Sequence, residues 1–228
     1  MEEESARLFD ELLGMGILWG VVDQYVRHGL VNLEELTDRE VVSTVLREFM
    51  EEADSGAAIV EGRVTWSDDD IHVVTDHSID LLERAAEAVG AEEYWFAILF
   101  YATWLEHWAN NVLMSLSVRS GVPAGVAVAL VRSCSFNLKM KDVWASLGAA
   151  PIEKVHMRAM TDLMEFRNGF VHYKWQPQSI SSMDAYDRRV EEVAKTAQKL
   201  VIVLEGLEDE LIFLGRRAAL RVQCGLVE

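Results

Sequence analysis

Two residues with complementary acid–base properties, Arg167 and His172, stand near the end of a helical segment with four residues between them. Arginine carries a permanent charge and binds phosphate oxygens in pairs, whereas histidine has an ordinary pKa near neutrality. His172 would accept the proton of a ribose 2′-hydroxyl or donate one to a 5′-leaving oxygen. Arg167 would stabilise the negative charge that develops on the phosphoryl oxygens. This pair predicts cleavage of RNA by transesterification to a 2′,3′-cyclic phosphate, which needs no metal.

A straight helix aims these two side chains apart. At about 100° per residue, Arg167 and His172 project about 140° from each other, while Asn168 and His172 share a face. Two arrangements would bring the pair together. One is a bend at Gly169, because glycine weakens a helix. The other is a homodimer in which two copies of the motif face one groove.

The same residues also fit a purely structural interpretation. Arg167 would pair with Glu165, Asp162 or Glu106, and His172 would interact with the last carbonyls of its helix. Glu106 would alternatively orient Arg167 or His172 for chemistry. The residues alone leave these alternatives open.

The elements that must position the motif are helices nearly throughout, since apolar residues recur at steps of three and four. Thr37 and Glu40 have capping-box spacing, Asn137 is the expected cap of the helix before the motif, and Pro151 is expected to open the motif helix. Residues 57–66 are consistent with either a small hairpin or an extended arm.

The predicted helices span residues 8–26, 37–53, 68–89, 92–118, 124–133, 138–147, 151 onward and 183–221. The expected core stripe of the motif helix is Ile152, Val155, Ala159, Leu163, Phe166 and Phe170. The predicted class is an all-α helical bundle.

The motif and its setting resemble the HEPN (higher eukaryotes and prokaryotes nucleotide-binding) family, many of whose members are metal-independent ribonucleases with an R-x4-6-H signature. Residues 101–108 look like the long early helix of that family, and residues 138–144 look like its lysine-containing helix before the motif. The likeness covers about residues 92–215. It divides the chain into an acidic, mainly helical extension over residues 1–91 and a HEPN-type bundle over residues 92–228.

The resemblance implies a homodimer whose two motifs line one cleft, acting on RNA as a toxin or antiviral-defence effector. It places Arg167 and His172 in the catalytic positions and Asn168 in the polar position after the arginine. It also implies an antitoxin or regulatory protein as a partner. Toxins restrained by a minimal nucleotidyltransferase usually have a Tyr two residues after the His; here that position is Lys174, and Tyr173 comes one residue early. The rival function is a noncatalytic helical module that binds a nucleotide or a protein.

Charge is distributed unevenly along the chain. The net charge of −17 argues against a protein that coats nucleic acid without specificity, because such binding comes from Lys and Arg. Residues 1–80 hold 20 acidic and 5 basic residues, whereas residues 119–189 hold 10 basic and 6 acidic ones. The motif therefore lies in the most basic part of the sequence. The acidic part is either a solvated surface or a segment that restricts RNA access or holds a partner.

The remaining features point to a reduced cytoplasmic protein without cofactor or metal. Cys134 and Cys224 are too few for a disulfide framework or a thiolate zinc site. The apolar runs are too short for a membrane span, and the opening Met-Glu-Glu-Glu lacks a basic signal start.

Three weaker patterns accompany the motif. Glu153 and His156 have the E-x-x-H spacing of a di-iron bundle, but no second copy exists. His72 and His77 lie among aspartates, and a solvated helix start explains them better than a metal does. The tryptophans are expected to pack in the core. Only exposed tryptophans, such as Trp175, could stack on a nucleic-acid base.

Overall fold

The described part of the chain is predominantly helical, which confirms the all-α class. This computed structural model describes residues 2–54, 58–60, 63–65, 78–172 and 183–226, with side chains for residues 14–51, 78–172 and 184–226. The α-helices are α1 Glu2–Arg27, α2 Asp38–Asp54, α3 Ser78–Gly90, α4 Tyr94–Arg119, α5 Ala124–Ser133, α6 Phe136–Leu138, α7 Trp144–Ser146, α8 Lys154–Val171, α9 Met183–Glu208 and α10 Arg217–Gln223. Two π-helical segments are π1 Lys139–Val143 and π2 Asp209–Phe213.

The segment that the sequence left open as a hairpin or an arm is a hairpin. Strand β1, Ala58–Val60, pairs antiparallel with strand β2, Arg63–Thr65. Ile59 stands opposite Val64 in this register.

The chain forms two compact units, each assembled from separate stretches of sequence. The first comprises residues 1–75, 114–130 and 208–228, and the second comprises residues 76–113 and 131–207. The boundary at residue 91 implied by the family resemblance stays a prediction.

The core of the first unit joins helices from distant parts of the sequence. Val22 and Val26 of α1, Val41 and Val45 of α2, and residues 212, 213, 220 and 224 all lie in one buried cluster. Between α1 and α2, Thr37 and Glu40 form the capping box that the sequence predicted. The Thr37 N–H donates to Glu40 Oε2 at 2.8 Å, and the Glu40 N–H donates to Thr37 Oγ1 at 3.4 Å.

Four arginines of the first unit are engaged within that unit. Arg27 donates to Asp23 at 2.6 Å and to Glu208 at 2.5 Å, and Arg217 lies 2.9 Å from the same glutamate. The other two arginines donate to backbone carbonyls: Arg119 to those of Val26 and Ile212, and Arg216 to two in the connection between α1 and α2. These cations therefore bind their own fold rather than remaining available to an external anion.

The core of the second unit forms around the first five turns of α4, which is largely apolar on all sides. Ile98, Leu105 and Leu113 are fully buried, and a helix buried all round needs no polar face. Trp104, Trp108 and Trp144 stack in succession and are at most 4% exposed, which confirms their prediction as core residues.

Three sequence predictions about helix ends and faces were wrong. The helix before the motif is capped by Ser135, whose Oγ accepts from the Leu138 N–H at 3.4 Å, and not by Asn137. The motif helix begins at Lys154, after Pro151 and Ile152. Its predicted core position Val155 is 64% exposed, whereas the predicted position Leu163 is buried, together with Met160 and Met164, which were not predicted. The expected helix start after Ser67 lies outside the described residues.

The final predicted helix, 183–221, is also interrupted. Helix α9 ends at Glu208, π2 follows, and Leu214 and Gly215 adopt φ values of 55° and 72°. Asp209 stabilises the break, because its backbone carbonyl accepts from the Gly215 N–H and its carboxylate accepts from the Arg217 N–H at 3.0 Å. Asp209 thus helps to begin a new helix, α10, which is separated from π2 by three residues.

Candidate functional site

The motif lies at the carboxyl end of α8. The helix continues through Gly169 to Val171, and His172 is its C-cap with φ −99° and ψ 14°. The backbone N–H of His172 still donates to the Asn168 carbonyl at 3.0 Å. His172 is exposed to solvent.

Arg167 is held in place by two neighbours within the second unit. Its Nη2 lies 3.4 Å from Oε2 of Glu106 on α4, and its Nη1 donates to Oδ1 of Asn168 at 2.9 Å. The side chains of Arg167 and Glu106 are 29% and 34% exposed. Of the three acidic partners that the sequence allowed for Arg167, the structure has Glu106. The guanidinium therefore has a fixed orientation and retains free donors.

The side chain of Asn168 accepts a hydrogen bond from Arg167, whereas the bond between Asn168 and His172 is made by their backbones. Within the residues that the structure describes, no hydrogen bond or ion pair joins Arg167 to His172. The structure thus brings Arg167, Asn168 and Glu106 together and leaves His172 apart at the helix end.

An aromatic cluster supports the helical turns that carry the motif. The Trp95 ring packs against Phe166, Phe170 and Tyr186 with centroid distances of 6.0, 5.4 and 5.8 Å. Phe166 and Phe170 are the two positions of the predicted apolar stripe that flank the motif arginine. Because Trp95 and Glu106 both belong to α4, this packing and the Arg167–Glu106 ion pair hold the end of α8 against the same helix.

A second cation is anchored on the same helix, α4, and the sequence alone gave it no role. Lys139, the first residue of π1, donates from Nζ to Oδ1 of Asn110 at 2.7 Å. Asn110 follows Glu106 by four residues on α4, so the two acceptors share one face of that helix. The i, i+4 spacing was visible in the sequence, but the contact with a lysine 29 residues away was not.

The weaker candidates acquire no site in this fold. His156 Nε2 lies 3.9 Å from Glu153 Oε2 at the start of α8, beyond hydrogen-bonding distance. Over the described ranges, no group of three or more His, Cys, Asp and Glu side chains is arranged to hold a metal. His72, His77, Tyr173, Lys174 and Trp175 lie outside the described residues.

Comparison with known proteins adds no family assignment. No protein-family model, curated protein or solved structure matches the chain. Among the helices that are described, none has the length and apolar composition needed to cross a membrane.

Proposed function

We propose that this chain is a metal-independent endoribonuclease of the HEPN type, acting as a toxin or antiviral-defence effector. The observation that carries the proposal is the combination of an oriented, partly exposed Arg167 with an exposed His172 at the same helix end. The all-α class and the 26-residue helix α4 are compatible with a HEPN-type bundle. Arg167, His172 and Asn168 are the proposed site residues.

In the proposed reaction the ribose 2′-oxygen attacks the adjacent phosphorus and the bond from phosphorus to the 5′-oxygen breaks. The 2′-hydroxyl loses its proton and the 5′-oxygen gains one, so the products are a 2′,3′-cyclic phosphate and a free 5′-hydroxyl. Arg167 stabilises the charge on the nonbridging oxygens. A single His172 cannot be base and acid in the same concerted step, whereas the two histidines of a homodimer supply both functions.

The proposed assembly is therefore a symmetric homodimer with the two motif ends around one groove. The divergence of about 140° between Arg167 and His172, on a helix that continues through Gly169, supports this arrangement over a bend. Light scattering at micromolar concentration tests it. A fully active monomer would contradict it.

The experiment that tests the activity uses purified protein and RNA in excess chelator. Cleavage is expected, with a 2′,3′-cyclic phosphate on the upstream product, while RNA carrying a 2′-deoxy substitution at the cut site is expected to resist. A requirement for a divalent ion, or equal cleavage of the deoxy substrate, would refute the assignment.

One observation favours the second candidate, a noncatalytic module that binds a nucleotide or a protein. The ion pair between Arg167 and Glu106 is sufficient to explain the arginine as a structural residue. Under that proposal RNA remains intact in the chelator experiment.

A further inference from the structure

A groove runs between α8 and α9 within the second unit, at the opposite end of α8 from His172. It encloses about 440 Å³ and is lined from Val155 to Asp162 on α8 and from Arg189 to Val203 on α9. Fourteen residue steps at about 1.5 Å make the α9 wall about 21 Å long, the length of a helix of about 14 residues. We call this feature the α8–α9 groove.

The floor of the α8–α9 groove is aliphatic. It is formed by Val155, Ala159, Val193, Leu200 and Val203. Val155 and Val203 are 64% and 39% exposed, although they belong to helices whose other faces are buried. The lining residues include no Phe, Tyr or Trp, so apart from the His156 imidazole this surface offers aliphatic contacts and no platform for stacking a nucleic-acid base.

The rim of the α8–α9 groove is positively charged in a chain of net charge −17. Its two lining acids, Asp162 and Glu192, both pair with Arg189, which donates to them at 2.6 and 2.7 Å, so these three residues together carry a net charge of −1. Arg158 and Lys199 also line the groove. Within the described part of the chain neither of these two cations has an acidic partner. Three cations against two acids leave the rim with a net charge of +1, and its two unpaired charges are both positive.

We propose that the α8–α9 groove binds an acidic amphipathic helix of a partner protein. The aliphatic side chains of that helix would lie on the Val155 and Val203 floor, and its Asp or Glu residues would pair with Arg158 and Lys199, the usual helix-in-groove mode. A second copy of this chain is a poorer occupant. In a symmetric dimer through this groove the surface meets itself, which would place the cations of both copies against each other. This inference does not depend on the proposed ribonuclease activity.

The test is selection of displayed helical peptides against the full chain, with Val203→Asp as a counter-target. The enriched peptides are expected to have aliphatic residues at positions i, i+3 or i+4, and i+7, flanked by Asp or Glu. Binding of a synthetic copy of an enriched peptide is measured by fluorescence anisotropy. The peptide is expected to bind the Val203→Asp, Arg158→Glu and Lys199→Glu variants at least about 10-fold more weakly than the parent chain. Its affinity for the parent chain is expected to fall as salt rises.

Matched controls separate loss of the groove from loss of the fold. Ile202→Asp changes a 72% exposed neighbour that does not line the groove, and Lys154→Glu reverses a charge outside it on the same helix as Arg158. Both are expected to bind like the parent chain, and all variants are expected to unfold at the parent temperature.

Three results would overturn the proposal. The first is a selection with no enrichment over the Val203→Asp counter-target, and the second is enrichment of basic or aromatic peptides. The third is a dimer in light scattering that Val203→Asp dissociates, because the groove would then belong to a second copy.

Discussion

Lys139 and Asn110 form a hydrogen bond of 2.7 Å one helical turn along α4 from the carboxylate that pairs with Arg167. Two cations from different segments are thus tied to consecutive turns of one helix, through acceptors whose Cβ atoms are about 5–6 Å apart by helix geometry. Such an arrangement suits a phosphodiester, because one cation can stabilise the reacting phosphate while the other binds it or its neighbour.

The first prediction concerns the motif pair. His172→Ala and Arg167→Ala are each expected to lower the cleavage rate on the order of 10²-fold or more, because they remove the proton-transfer group and the transition-state cation. Asn168→Ala is expected to cost less, since its side chain orients Arg167 from the adjacent position. Rates are measured under single-turnover conditions, with Arg84→Ala on α3 as the control arginine. Activity that survives both motif substitutions would exclude the ribonuclease proposal.

The second prediction concerns Glu106 as a positioning residue. Glu106→Ala is expected to lower kcat more than it raises KM, and Glu106→Gln to recover part of the loss, because an amide oxygen still accepts from Arg167. A double-mutant cycle with Arg167→Ala is expected to give a coupling of about 0.2–1 kcal/mol in unfolding free energy, the range for exposed pairs. The same coupling with an unchanged kcat would assign the ion pair to stability alone.

The third prediction concerns Lys139. Lys139→Ala is expected to raise KM for RNA on the order of 10-fold and to reduce the salt slope of binding by about 0.7, the value for one lost phosphate contact on a single strand. Lys141→Ala, an exposed lysine of the same π segment, provides the control. A salt slope identical to that of the parent chain would show that Lys139 does not contact phosphate.

The fourth prediction concerns the acidic amino-terminal segment. Removal of residues 1–66 is expected to abolish cooperative unfolding of the first unit, because α1 and α2 cover Phe213 and Leu220. Phe213→Ala is expected to destabilise by about 3–5 kcal/mol, while Val222→Ala, at a 55% exposed position, is expected to be nearly neutral. Denaturant unfolding followed by circular dichroism measures both. A truncated chain that unfolds like the full one would make the segment dispensable.

The fifth prediction concerns pH. Burial raises the pKa of the Cys224 thiol from 9.0 to about 11, so the folded state favours the neutral thiol. The contribution of the buried neutral thiol to the free energy of unfolding is fully present below about pH 9. It is lost as the pH rises from about 9 to 11, because the thiol of the unfolded chain ionises first. Cys224→Ala is expected to flatten the stability profile in that window. Thiol titration at about pH 8, below the ordinary thiol pKa, should modify Cys134 before Cys224, and equally fast modification would contradict the burial.

Signals confined to a few neighbouring residues were readable from the sequence. The Thr37–Glu40 capping box and the bounds of α5 needed no distant partner, and the periodic apolar residues predicted the bounds of α4 to within two residues. The wrong predictions arose where two local signals compete or where the deciding partner is remote. Ser135 and Asn137 can both cap a helix, and nothing in their immediate neighbourhood selects the serine.

The break after α9 shows the same limit. Gly215 is a helix stop signal, but the π turn and the left-handed Leu214 before it depend on bonds to Asp209. Likewise, the R-x4-H spacing indicated a candidate chemistry for Arg167 but not which of three carboxylates would pair with it. The structure resolves that choice through α4, whose Glu106 is 61 residues away in the sequence.

The buried cluster of the first unit also has a consequence for synthesis. Val45 and Ile212 belong to one core. After Val45 has been synthesised, the ribosome must therefore add the whole intervening sequence before Ile212 is present. At about 5–20 residues per second this interval lasts on the order of 8–30 s. During this interval the apolar faces of α1 and α2 lack the residues that finally cover them. We therefore expect a chaperone to bind the nascent chain at this stage of its synthesis.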